Sequence, residues 1–124
     1  MKIPPQRKLL HMFRKKVTLE KYSLTESTDP YGQTEETLVG SYQIDAEIQE
    51  VTAEDLVYMR PGFAEVGDAW GYFLPSYIVQ GQTVVVQVED IVKWNNKTWR
   101  IDRIEDYYLG EQLMYKRALM KRVV

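Results

Sequence analysis

The sequence has 124 residues, 44% of them hydrophobic and 27% charged, with a formal net charge of −2 at pH 7. This composition and length indicate one folded domain rather than a disordered chain. Zero cysteines exclude a disulfide framework, a thiolate zinc site and a cysteine nucleophile. The apolar runs are too short to span a bilayer, and the first residues are too polar for a secretory signal. We therefore expect an intracellular or particle-packaged protein with no membrane partner.

The charges are sorted along the chain. Residues 1–16 contain six basic residues and no acid, residues 20–90 contain fourteen acids and two basic residues, and residues 91–124 contain eight basic and four acidic residues. An acidic middle between basic ends is commonly a solvated surface. It also suits a protein of which one face repels a polyanion while other parts dock on neighbours.

The first predicted unit is a basic extension, residues 1–16. Pro5 followed by apolar residues at helical spacing predicts an amphipathic helix of about three turns, which would be marginal alone. We expect this extension to become ordered against a partner. Its candidate docking residues are Arg7, Lys8, Leu9, Leu10, Phe13, Arg14, Lys15 and Lys16.

Two strands are predicted next, over residues 17–24 and 37–51, with an Asp29-Pro30-Tyr31-Gly32 turn between them. The second strand alternates with period two, which indicates one buried face. The residues that share this face are Leu38, Tyr42, Ile44, Ala46 and Ile48.

A short helical turn is predicted after the long strand, because Thr52 is a capping residue that precedes two acids. We expect the turn to stop before Pro61-Gly62. Weaker strand patterns cover residues 70–74 and 83–88, and Gly81 and Gly110 mark later connections.

A hairpin is predicted over residues 91–101, because two apolar runs flank Asn95-Asn96 and asparagine tolerates the left-handed backbone of a tight turn. A two-residue loop places Val92 opposite Trp99 and makes Trp94 and Trp99 core residues. The alternation slips near Asp102 and Arg103, as a β-bulge would cause. Residues 113–122 fit either a helix or a closing strand.

Together these elements predict an all-β protein: a small antiparallel β-barrel of about six strands over residues 17–124, with a short helical turn and a basic N-terminal extension. Short strands separated by turns are typical of small barrels and sandwiches, and closing the sheet removes exposed edges.

No enzyme signature is present, and we expect no catalytic, cofactor or metal site. Asp102, Glu105 and Asp106 form a tight carboxylate group that suits a solvated turn better than acid/base chemistry. The single histidine, His11, lies among basic residues and suits an exposed arm. The many tyrosines and tryptophans fit an interface better than base stacking, because residues 20–90 contain few cations to attract phosphates.

The sequence features follow one another in a characteristic order. A strand and an Asp-x-x-Gly turn precede a long strand that ends at Ala46-Glu47-Ile48-Gln49, followed by Thr52-Ala53-Glu54-Asp55. Later segments are Val88-Glu89-Asp90-Ile91, then Trp94-Asn95-Asn96-Lys97-Thr98-Trp99-Arg100-Ile101, then Tyr115-Lys116-Arg117-Ala118-Leu119. Over residues 17–122 this order resembles the head-closure family of tailed phages and related proviruses.

This resemblance implies a structural virion protein that forms a homo-oligomeric ring below the portal and adaptor proteins, closes the DNA channel after packaging and presents a surface to the tail proteins. Its location would be the head-tail interface of the virion, near packaged double-stranded DNA, and the host cytoplasm during assembly. The alternatives are a tail-terminator or other tail-joining ring protein and, from another class, an oligonucleotide-binding β-barrel.

The resemblance also implies a loop that projects into the channel, and two acidic connections are candidates. Carboxylates repel phosphates within about 8 Å at physiological salt, so such a loop could block the bore without gripping DNA. The preferred candidate, residues 52–68, contains Thr52, Glu54, Asp55, Gly62, Glu65, Gly67 and Asp68, with the glycines as hinges. The alternative, residues 25–36, contains Glu26, Asp29, Glu35 and Glu36.

Overall fold

The structure is a computed structural model that describes residues 15–26, 34–56, 62 and 64–123. Within these residues the chain forms eight strands and one short helix. In chain order they are β1 (Lys15–Glu26), β2 (Thr34–Glu50), α1 (Ala53–Leu56), β3 (Ala69–Phe73), β4 (Tyr77–Val79), β5 (Gln82–Val84), β6 (Ile91–Trp94), β7 (Lys97–Leu109) and β8 (Gln112–Arg122).

Six of the strands form a closed antiparallel barrel in the order β1-β2-β3-β8-β7-β6, while β4 and β5 pair separately as a small hairpin. The predicted all-β barrel of six strands is confirmed. Because neighbouring strands are antiparallel, the β1–β2 and β7–β8 hairpins turn at one end of the barrel, here called the upper end. The β6–β7 hairpin turns at the lower end.

The core fills the barrel with alternate residues of its strands. On β2, Ile44, Ala46 and Ile48 are buried and Tyr42 packs against them, as predicted. Leu38 is 48% exposed instead. A bulge in β2 causes this difference: Lys21 pairs with Gly40 but the next residue of β1 pairs with Leu38, so the alternation reverses there.

The β6–β7 hairpin has the predicted register, with Val92 paired to Trp99. Asn95 and Asn96 have φ angles of 52° and 60°, the positive values that a type I′ turn requires. Trp99 is fully buried, and Trp94 is half-buried against the core. The predicted bulge is also present, as a register shift in β7 between Ile101 and Arg103.

Two segments differ from, or decide between, the secondary structures that the sequence predicted. Residues 113–122 lie in β8, because pairing with β3 and β7 outweighs a helix-favouring composition. The strand expected over residues 83–88 ends at Val84, and the unpredicted β4 pairs with it through a Gln80-Gly81 turn. Both turn residues have positive φ, 50° and 79°.

Each end of the barrel is covered by a loop tied to the core. At the lower end, the indole Nε1 of Trp99 donates a hydrogen bond to the carbonyl of Gly67, at 2.9 Å. Towards the upper end, the Tyr77 hydroxyl donates to the carbonyl of Asp45 at 2.6 Å and accepts from the amide of Leu74 at 2.9 Å. These bonds satisfy polar groups that the covers would otherwise bury unpaired.

Replacing Trp99 with alanine should lower the free energy of unfolding by about 3–5 kcal/mol, because it removes a fully buried indole and leaves a cavity. Urea denaturation would measure the loss. Trp94→Ala is the matched control and should cost clearly less, since Trp94 is only half-buried. Equal losses in the two variants would contradict this description of the core.

Candidate interaction surfaces

The β1–β2 hairpin continues past the barrel wall. On β1 the last residue that pairs with β6 is Glu20, and on β2 the pairing with β3 begins only at Glu47. Beyond the bulge, five β1–β2 pairs follow without a further described strand at either edge, from Tyr22–Leu38 to Glu26–Thr34. At about 3.3 Å per residue they add roughly 16 Å. Residues 22–26 and 34–39 are named here the β1–β2 ribbon.

The ribbon exposes large apolar side chains near its base. Tyr22 is 39% exposed, Leu38 48% and Val39 63%. Such a group on a narrow ribbon is typical of a surface that contacts another protein. The bulge that turns Leu38 away from the core is therefore also what creates this apolar surface.

The alternative channel loop coincides with the upper part of the ribbon. Glu26 and Glu35 lie in its last two residue pairs, and Glu36 is exposed. Asp29 lies outside the described residues. This acidic connection is thus carried on an extension that leaves the barrel.

The preferred channel segment, residues 52–68, begins with the predicted helical turn. The Thr52 amide donates to the Asp55 carboxylate at 2.9 Å, and the Asp55 amide faces the Thr52 hydroxyl at 3.4 Å, an arrangement that resembles a capping box. Leu56 then packs against the cluster that contains Val51 and Leu119 on the outside of the barrel. Glu54 and Glu65 are exposed.

Asp68, at the end of this segment, is only 4% exposed, so it is not the solvent-facing channel acid that was predicted. Its carboxylate accepts hydrogen bonds from the amide of Glu65 at 2.8 Å, the amide of Arg122 at 3.0 Å and the ammonium of Lys121 at 3.2 Å. It therefore ties the segment to the end of β8 at the lower end of the barrel.

The two glycines of the segment have positive φ, 79° at Gly62 and 99° at Gly67. Because the Gly67 carbonyl accepts the Trp99 hydrogen bond, this turn is attached to the core. The hinge role predicted for Gly67 is therefore not supported by its surroundings.

Lys15 and Lys16, predicted as the end of the docking arm, are the first residues of β1. The Lys15 ammonium lies 2.6 Å from a carboxylate oxygen of Glu47 and 4.9 Å from the centre of the Trp94 ring. The Lys16 ammonium lies 3.1 Å from Asp45. Barrel contacts thus account for both lysines. The other predicted arm residues lie outside the described residues: Arg7, Lys8, Leu9, Leu10, Phe13 and Arg14.

A cluster of aromatic residues around an arginine lies on the outer face of β3, β7 and β8. The guanidinium carbon of Arg117 lies 3.7 Å from the centre of the Trp70 ring, and its Nη1 donates to the Tyr107 hydroxyl at 3.2 Å. Tyr107 stacks on Tyr115 with ring centres 4.7 Å apart, and Tyr72 lies 6.2 Å from Tyr115. These five residues are named the aromatic-arginine cluster.

Sequence reasoning identified an aromatic surplus but not this cluster. Its residues come from three strands that are adjacent only because β8 pairs with both β3 and β7. The usable signal was the period-two spacing of Trp70 with Tyr72 and of Tyr115 with Arg117, which places each pair on one face of a strand.

A concave pocket of about 390 Å³ lies at the base of the ribbon, on the outer face of β1, β6 and β7. Its lining includes the apolar residue Ile91 and the charged residues Glu36, Glu89 and Arg100. Arg100 lies 3.8 Å from Glu89, whereas Glu36 makes no ion pair with another described residue. The lining residues of this side pocket are Tyr22, Ser23, Glu36, Glu89, Ile91, Arg100 and Val123.

The lysines around the lower rim are paired with carboxylates: Lys93 with Glu20 at 3.0 Å, and Lys97 with Glu50. Paired lysines are a weak attraction for phosphates, which a nucleic-acid site would need. This observation does not favour the oligonucleotide-binding alternative.

Two of the three clustered acids of β7 have polar partners, and the third is exposed at the bulge. Asp106 lies 3.0 Å from Lys116, and Glu105 accepts from Tyr107 at 3.1 Å, while Asp102 is exposed at the bulge. Among the described residues, no group of three or more potential ligands could hold a metal ion. Within the same residues, no helix is long and apolar enough to cross a membrane.

No protein-family model matches this sequence, and no curated protein matches it. Among solved structures, the fold is similar to the solution structure of protein SF1141 from Shigella flexneri 2a. The TM-score is 0.58 and the identity 11%, over 90% of this chain and 93% of that chain. At this identity the similarity shows the fold alone, a small closed β-barrel.

Asp68→Ala should lower the free energy of unfolding by about 3 kcal/mol, because it removes the buried carboxylate that accepts from the amides of Glu65 and Arg122 and pairs with the Lys121 ammonium. Asp102→Ala is the matched control and should change stability by less than about 0.5 kcal/mol, as an exposed site does. Thermal unfolding of both variants would measure this, and an unchanged Asp68 variant would contradict the anchoring role.

Stability should fall as the pH rises above about 10. Burial raises the pKa of Tyr72, Tyr77 and Tyr115, most strongly at Tyr77, so the folded protein keeps these phenols neutral. The unfolded chain ionises its tyrosines near pH 10, so the stabilisation is present below that pH and is lost above it. Denaturant unfolding from pH 9 to 11 would measure the slope, which Tyr77→Phe should reduce. A flat profile would contradict the assignment.

Proposed function

We propose that this protein is a structural component of the head-to-tail connector of a tailed phage or provirus. In this proposal it assembles as a ring below the portal and adaptor, closes the DNA channel after packaging and presents a surface for tail attachment. It acts by assembly and obstruction, without catalysis, at the head-tail interface of the virion. The proposal rests on the order of sequence features described above and on the shape of the barrel.

The observation that carries this proposal is the β1–β2 ribbon. It extends five residue pairs past the barrel wall and carries an acidic connection at its end. A ring of such barrels could direct its ribbons into a common bore. The carboxylates there would repel DNA phosphates while the ribbons obstruct the path.

The structure also changes which loop we propose for the channel. Residues 52–68 were preferred from the sequence, but Asp68 and Gly67 tie that segment to the lower end of the barrel. We therefore propose residues 25–36 as the channel element.

Exposed apolar groups support assembly with neighbours. Besides the base of the ribbon, the tip of the β7–β8 hairpin exposes Tyr108 by 52% and Leu109 by 60%. The aromatic-arginine cluster lies on the barrel wall opposite β1, because β8 is three strands away from β1 in either direction. Contact-prone surfaces on opposite walls suit a head-to-tail interface, which closes into a ring.

Shortening the connection between the two strands of the ribbon tests the proposal. Replacing residues 27–33 with Asn-Gly keeps the barrel and a tight turn but removes the obstructing tip. In virions of the encoding phage, this variant should still assemble the connector yet release packaged DNA before tails attach. Nuclease protection of encapsidated DNA would measure the release, and electron microscopy would count the connectors.

The matched control shortens residues 57–61, which belong to the other candidate channel segment, residues 52–68. It should leave DNA retention unchanged. Leakage from this variant but not from the ribbon variant would transfer the channel role to residues 52–68. Leakage from neither would remove the closure function, and rings found on tails rather than on heads would favour a tail-joining protein.

A further inference from the structure

The side pocket combines two features that are seldom combined on an ordinary solvated surface. Tyr22, Ile91 and Val123 give it an apolar lining, and two of these are about 40% exposed. Its lining also carries the carboxylates of Glu36 and Glu89 and the guanidinium of Arg100, which lies 3.8 Å from Glu89. A fitting occupant would be a peptide with apolar side chains and positive charge.

Glu36 also has an electrostatic effect inside the pocket. The pKa of Tyr22 is raised, first by its hydrogen bond to Glu20 and by burial; the Lys93 ammonium opposes this rise, and Glu36 adds a smaller one. The Tyr22 hydroxyl donates to Glu20 at 3.0 Å. Glu20 is paired with Lys93 and Glu89 lies near Arg100, so Glu36 is the carboxylate of the pocket that makes no ion pair with another described residue.

The chain itself contains a segment with this chemistry. Residues 1–14 include four basic residues and no acid, with Leu9, Leu10 and Phe13 among them. The sequence pattern places apolar and basic side chains in alternation around this segment. It therefore matches both the charge and the apolar lining of the side pocket.

The reach of the segment is sufficient. Lys15 begins β1, and Tyr22 lies seven residues further along the same strand, about 23 Å away. Residues 1–8 lie at least seven residues before Lys15, so an extended chain lets them reach Tyr22 of their own barrel. Leu9, Leu10 and Phe13 are too close to Lys15 for this and can contact Tyr22 only on an adjacent copy.

We propose that the side pocket binds residues 1–14 of this protein, with basic side chains against Glu36 and Glu89 and apolar side chains on Tyr22, Ile91 and Val123. The site includes the ribbon residues Tyr22, Ser23 and Glu36, but it does not require a channel, because the pocket is formed within a single barrel. Binding would keep the apolar lining covered and, between copies, would link neighbouring barrels.

Carbodiimide cross-linking of the full-length protein tests the site, because this reagent joins only amines and carboxylates already in contact. Mass spectrometry should find Lys2 or Lys8 joined to Glu36 or Glu89 about fivefold more often than to Glu65 or Glu111. Fivefold corresponds to a pairing free energy of about 1 kcal/mol. The Lys116–Asp106 pair, 3.0 Å apart, is the internal positive control.

Mixing ¹⁴N- and ¹⁵N-labelled protein shows whether the bound segment comes from the same chain or from a neighbouring copy. Mixed-isotope cross-links identify a neighbouring copy, and single-isotope cross-links identify the same chain; both support the site. Cross-links spread evenly over Glu36, Glu65, Glu89 and Glu111 would overturn it, as would their absence while the positive control forms.

A charge variant provides a second readout. Arg7→Glu with Lys8→Glu in the full chain should remove the enrichment of Lys2 at Glu36 and Glu89, and Glu65→Gln with Glu111→Gln should leave it unchanged. Thermal unfolding should be the same in both variants, which would show that the barrel is intact. Enrichment that survives the Arg7 and Lys8 reversal would overturn the assigned charge pairing.

Discussion

The shape of this protein depends on a short seam that closes the barrel. β1 and β6 pair through only three residue pairs, Thr18–Lys93, Leu19–Val92 and Glu20–Ile91. Ion pairs on both sides support the seam: Lys93 with Glu20 at 3.0 Å and Lys21 with Asp90 at 2.6 Å. Because β6 and β3 are short and their partners are long, the long strands continue past the closed wall as hairpins. A longer β6 would have extended the barrel instead.

The two ends of the barrel consequently differ in what they offer. At the lower end, the buried carboxylate of Asp68 and the carbonyl of Gly67 join a loop to β8 and to the Trp99 indole. At the upper end, the long hairpins carry exposed tyrosine, leucine and valine side chains. Hydrogen bonds hold the covering loop at both ends, but the hairpins of the upper end also expose a group of large apolar side chains that suits contacts with partners. This asymmetry is the main physical support for an assembly role.

The sequence predicted the residue types of the candidate surfaces better than it predicted their positions in the fold. The acidic blocks and the aromatic surplus are visible in the sequence, since charge and residue type need no fold. The position of each acid in the fold is not visible in the sequence. Glu26 and Glu36 lie on a projecting ribbon, while Asp68 is buried and its carboxylate accepts three hydrogen bonds. Likewise Arg117 lies on Trp70, 47 residues away in the chain, because β8 pairs with β3. Carboxylates of the same charge are therefore placed either on a projecting hairpin or in a buried hydrogen-bonded site, depending on which strands pair.

The sequence by itself determined the local structure of this protein. Period-two alternation specified β2, two asparagines specified the β6–β7 turn, and Thr52 with Asp55 specified the start of α1, because each signal acts within a few residues. Only the tertiary structure decided that residues 113–122 are a strand, that Leu38 faces solvent, and that two hairpins leave the barrel at one end. Those outcomes depend on which distant strands pair and for how long, a competition between long-range hydrogen bonds and packing that no local pattern records.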